Sequence, residues 1–236
     1  MDSTRRTALV AGVLFVITFV ASIPAVLLYG PVLSDPGYVV GPGADGRVFL
    51  GAFLEVITVI ANIGTAVVLF PILRRQNEGI ALGYVAARLI EGTFIVVGMV
   101  SLLAVVTLRQ TFAGTAEAET GALITAATAL VALHDWTFLF GPSFLGAGLG
   151  NGILLGYLMY RSGLVPRRMA LLGLVGGPLL CASGTAVLFG VFDAGSVWQG
   201  IATIPEILWE ASLGLYLIFK GFRPRAIAEG IGPASA

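Results

Sequence analysis

Residues 81–108 read ALGYVAARLIEGTFIVVGMVSLLAVVTL. As a helix this run crosses a bilayer, because ~20 apolar residues rising about 1.5 Å each cover the ~30 Å of hydrocarbon. It nevertheless carries charges. Tyr84, Arg88 and Glu91 follow one another at spacings of four and three, which places them on one helix face. Val85, Leu89, Ile90, Phe94, Ile95, Val96 and Val97 surround them. A charge at the bilayer centre costs at least ~2.5–3.5 kcal/mol. Pairing Arg88 with Glu91 offsets part of that. Their face still needs a bundle interior or a wet cavity, so other helices must cover it.

Composition supports the same class. The 236 residues are 57% hydrophobic and 11% charged, whereas a soluble domain carries about 25% charged residues. Net charge is zero, which gives no footprint for nucleic acid. Cys181 is the one cysteine, excluding an intramolecular disulfide and a cysteine metal cluster. Thirty-two glycines suit close helix approach in lipid.

The fold expected is all-α, one domain over 1–236, with six transmembrane helices at about 8–29, 48–73, 81–108, 137–160, 169–192 and 200–219. Residues 121–133 are apolar but short for a span. They read as an outer-side interfacial or re-entrant helix. The tail, 226–236, reads as disordered. Basic clusters fall at Arg5/Arg6, Arg74/Arg75, Arg161/Arg167/Arg168 and Lys220/Arg223/Arg225. Intervening loops carry Asp35, Asp45, Glu117, Glu119 and Asp193, with Arg47 and Arg109 against them. Basic loops stay in the cytoplasm. Six spans with both termini inside satisfy that rule; a seventh at 121–133 would put the Arg161–Arg168 turn outside. The expected location is the cytoplasmic (inner) membrane.

Counting inward from each basic turn places the polar residues by depth. Arg88 and Glu91 come roughly 12–16 Å above the cytoplasmic edge, Asn151 and Glu210 about 15 Å, and Asn62 about 18 Å. Glu206 lies one turn further out on the helix of Glu210. Asn62, Tyr84, Arg88, Glu91, Asn151, Glu206 and Glu210 are therefore the candidate central cluster. Glu55, His134, Asp135 and Trp136 form an outer-side group. Together they suggest an acid-lined path inward. His134 and Asp135 are adjacent, about 100° apart on a helix, so a direct pair is awkward and an interfacial cluster anchored by Trp136 is favoured. Gly148, Gly152 and Gly156 form a small-residue stripe for packing. Gly176-Gly177-Pro178 should bend its helix. With a single histidine in the chain, no metal site and no cofactor are expected.

Several stretches resemble a bacterial membrane family. They are Ala61-Asn62-Ile63-Gly64, Leu73-Arg74-Arg75-Gln76-Asn77-Glu78 and Ala86-Ala87-Arg88-Leu89-Ile90-Glu91. Leu133-His134-Asp135-Trp136-Thr137-Phe138-Leu139-Phe140-Gly141-Pro142 joins them. So do Gly156-Tyr157-Leu158-Met159-Tyr160-Arg161-Ser162 with Val165-Pro166-Arg167, and Glu210-Ala211-Ser212-Leu213-Gly214 with Lys220-Gly221-Phe222. The family is catalogued as domain of unknown function 4386. The resemblance implies an integral membrane protein of bacterial type and supplies no activity.

Charged groups inside a membrane are functional by default. The leading reading is a small-solute or proton-coupled transporter-like protein using the central Arg/Glu/Asn cluster. The halves would permit an inverted three-plus-three repeat, with Leu89-Ile90-Glu91-Gly92-Thr93 set against Leu208-Trp209-Glu210-Ala211-Ser212. One alternative is an intramembrane enzyme acting on a lipid-like substrate. The other is a non-catalytic structural or accessory protein. The partners expected are the lipid bilayer and a small solute, proton or lipid ligand.

Overall fold

A computed structural model describes residues 3–113 and 117–223. The tail at 226–236, Arg225, and the side chains of Glu117 and Glu119 lie outside the described residues. The described chain is helical: α1 (Ser3–Ser34), α2 (Asp45–Leu73), α3 (Glu78–Thr111), α4 (Glu117–Phe138), a π-helical segment (Leu139–Leu155), α5 (Gly156–Ser162), α6 (Arg167–Leu188) and α7 (Val197–Phe219). Six continuous helices are long and apolar enough to cross a membrane.

Local chemistry sets the ends. The Asn77 side chain accepts the Ile80 backbone N–H at 2.9 Å to start α3, and Ser196 accepts from Gln199 at 3.4 Å to start α7. Such caps satisfy donors that the first helical turn leaves open. Gly163 closes α5 at φ +67°, a left-handed turn that glycine adopts without a steric penalty. Pro166 then leads directly into α6.

The helices pack in chain order around a ring. α1 lies on α2, α2 on α3, α3 on the π segment, the π segment on α6, α6 on α7, and α7 back on α1. The basic turns share one end. There the Arg5 guanidinium donates to Leu217 O at 2.8 Å and Ile218 O at 2.5 Å, capping α7, and the Arg223 N–H reaches Leu164 O at 2.9 Å. From that end the helices rise unequally. α6 and α7 have 22 and 23 residues, while α1 and α3 have 32 and 34. At about 1.5 Å per residue, α1 and α3 extend roughly 15 Å further. At the end away from the basic turns, Tyr29 and Val32 of α1, Val48 of α2 and Leu102 and Val105 of α3 are buried with Leu123 and Ala127 of α4.

Residues 121–133 are helical and run without a break into 137–160, so Thr120–Ser162 forms one helix of 43 residues. No proline or glycine separates Leu133 from Phe140, so the backbone has no reason to stop there. Within this helix the π turns follow the glycines. Gly141, Gly146 and Gly150 face α3. Gly148, Gly152 and Gly156 face α6. Two glycine edges let the segment fit tightly between both neighbours.

Candidate functional site

Arg88 and Glu91 lie buried where α2, α3, the π segment and α7 converge. The Arg88 Nη1 stands 2.7 Å from Glu91 Oε2. Its Nη2 donates to Asn62 Oδ1, and the Asn62 amide donates back to Glu91 Oε1 at 3.0 Å. The guanidinium, carboxylate and amide thus close a three-membered network joining α2 to α3. Gly146 makes room for it: a Cβ there would meet both Glu91 carboxylate oxygens at 2.5 Å. Tyr84 is fully buried, and its hydroxyl has no hydrogen-bond partner among the described residues.

A second network joins the π segment to α7. The Asn151 amide donates to Glu210 Oε1 at 2.5 Å, and the Trp209 indole donates to the Asn151 carbonyl at 3.0 Å. Trp209 is fully buried and packs on Gly173 of α6. Glu206 and Glu210, when ionised, lie near enough to act on Arg88.

Glu206 is unlike the others. It is 1% exposed, yet neither carboxyl oxygen has a hydrogen-bond partner among the described residues. Oε2 lies against two glycine backbones, where a Cβ on Gly152 or Gly176 would come within 2.7 or 2.8 Å of it. Asn151 Oδ1 and Arg88 Nε are also buried without hydrogen-bond partners. The layer therefore holds three carboxyls and one guanidinium. If all ionise, two negative charges remain, and in hydrocarbon these need protons or a bound cation.

The outer group assembles around a residue the sequence reading passed over. Tyr29 of α1 donates to Glu55 Oε2 at 2.8 Å, and its ring meets the His134 ring edge-on at 5.9 Å between centroids. Glu55 and His134 are buried, and both meet Tyr29. Despite their angular separation, His134 Nδ1 and Asp135 Oδ1 stand 3.3 Å apart. Asp135 itself is largely exposed. Trp136 is exposed too and stacks on Phe140. Tyr29 gave no local signal, because its partner is 26 residues away and on another helix.

A third polar group holds the loop before α2. Asp45 accepts from Arg109 Nε at 2.8 Å, from Tyr38 at 2.9 Å and from Gln110 at 2.8 Å. Arg109 Nη1 also donates to Pro42 O at 3.0 Å. Burial, and then the bond to Asp45, push the Tyr38 hydroxyl up to about 12. This set ties α1's exit to the end of α3.

The fold and its buried ionic layer define a multi-pass membrane protein. The chain belongs to the family described as Domain of unknown function (DUF4386), which matches residues 10–221. No curated protein and no solved structure matches the chain.

Proposed function

We propose that this protein is a proton-coupled, small-solute transporter-like membrane protein, working through the buried layer of Asn62, Tyr84, Arg88, Glu91, Asn151, Glu206 and Glu210. One observation carries the reading: Glu206 is a fully buried carboxyl with neither oxygen bonded, in a layer already short of positive charge. A purely structural polar cluster bonds its members to one another, as Arg88, Glu91 and Asn62 are bonded. Glu206 stabilises no contact of that kind. A group that gains and loses a proton suits its position. The glycine contacts at Gly152, Gly176 and Gly177 give it a seam at which helices can shift.

The basic end is assigned to the cytoplasm by the positive-inside rule, with both termini inside and the taller end outside. The test is proton movement in proteoliposomes containing the full chain and an internal pH dye. Wild type should carry protons faster than empty vesicles, and Glu206→Gln, which retains volume but not charge, should abolish the excess. Equal rates for Glu206→Gln and wild type would overturn the proposal.

A further inference from the structure

We infer that Tyr29, Glu55 and His134 form a second proton-binding site, at the outer end of the path into the central layer. The inference rests on the proton-coupled reading above. Three helices supply the group: Tyr29 from α1, Glu55 from α2 and His134 from α4. α3 meets His134 with a glycine, since a Cβ on Gly98 would lie 3.3 Å from His134 Cδ2. The titratable groups facing His134 are thus Tyr29, Glu55 and its neighbour Asp135.

The arrangement has a direction. Asp135 is largely exposed and reaches His134 Nδ1. The imidazole and Glu55 are buried. An imidazole exchanges protons between its two nitrogens; Asp135 meets one of them from solvent, and Tyr29 links the ring to Glu55. Below Glu55, α2 presents Thr58 and Asn62, both buried, at spacings of three and four. These share one face. Asn62 belongs to the Arg88–Glu91 network. About 10 Å of helix separates Glu55 from Asn62; on the same face between them, the Thr58 hydroxyl donates to Leu54 O at 3.1 Å. No exchange beyond proton transfer is involved: each donor regains from outside the proton it passes inward.

The test uses the full chain and two readouts. In proteoliposomes, Glu55→Gln, His134→Gln and Thr58→Val should each lose most of the proton flux driven by outside acidification. In purified protein, the acid-minus-alkaline infrared difference spectrum should contain a carboxyl band that Glu55→Gln removes and that Tyr29→Phe and His134→Gln displace. Loss of flux together with that band supports the outer site. Wild-type flux that survives all three substitutions overturns it. A wild type without flux whose Glu55 band still responds to Tyr29→Phe overturns the transport reading and leaves the proton-binding site standing. Absence of a Glu55 band overturns the site directly.

Discussion

Arg88→Leu should destabilise the protein severely. The guanidinium is 2% exposed and binds two partners through separate nitrogens. Its removal strands the Glu91 carboxylate and the Asn62 carbonyl together. Breaking a buried ion pair by deleting one member costs about 3–5 kcal/mol. For a chain of this size each kcal/mol moves the melting temperature by about 2–4 °C, so a loss of roughly 6–20 °C is expected. Melts of the single and double variants in detergent would measure it. Arg88→Leu with Glu91→Leu should recover much of the loss, because both ends of the pair are then apolar. Arg88→Leu with Glu210→Leu should not, because Glu210 is bonded to Asn151 instead. An Arg88→Leu change no larger than an average interhelical bond in lipid, ~0.6 kcal/mol, would refute the network. It would mean that the side chain reaches the membrane surface.

Further outcomes follow from the same contacts. Gly177→Val should lower the melting temperature, since a Cβ there would strike the Gly148 carbonyl at 2.5 Å and the Ile153 N at 2.8 Å. Gly30→Ala, with nothing within 4 Å of its Cβ, should be neutral or stabilising by up to about 1 kcal/mol, as alanine favours a helix. In a Cys181→Ser background, a cysteine at the exposed position 168, in the same basic turn, should react with impermeant label only from the cytoplasmic side; labelling from outside would overturn the topology. Tyr38 is held neutral in the fold, with its hydroxyl raised from about 10 to about 12. Its contribution is therefore complete below pH about 10 and lost as pH rises through about 12. Melts across that window should be flatter for Tyr38→Phe.

The spans and the ionic face were legible because lipid enforces them. A run such as 81–108 has few soluble uses, and Arg88 and Glu91 lie three apart in sequence, within one helix. Residues 121–133 were harder. Their length and the polar His134-Asp135-Trp136 that follows suggested a separate interfacial helix. The extension of α1 and α3 away from the basic turns instead gives the long helix an apolar neighbour beyond the level reached by α6. The stripe of Gly148, Gly152 and Gly156 was readable at its regular spacing of four. The second edge was not: Gly141 and Gly146 are five apart, a spacing that shares a face only in the wider π winding. Gly146 mattered most among these, because it seats the Glu91 carboxylate. Tyr29, Trp209 and Gly176 depend on partners in distant helices, which no local pattern specifies.

The two hydrogen-bonded networks divide the layer unevenly. Arg88, Glu91 and Asn62 lock α2 to α3. Asn151, Glu210 and Trp209 lock the π segment to α7. Among the described residues no hydrogen bond joins one network to the other. They meet through glycine contacts such as Gly150 on Ala87, and Glu210 and Glu206, when ionised, lie near enough to act on Arg88 across that boundary. Charge acts at a distance and glycine surfaces slide, so this boundary is the one a change of protonation can shift without first breaking a hydrogen bond. Glu206 stands on the α6 side of the second group, on Gly152 and Gly176, with no bond to hold it. In the proposed reading, a proton gained or lost there would change the attraction between the second group and Arg88 while leaving both locks intact. That is the physical requirement for coupling a proton to a relative movement of two helix groups.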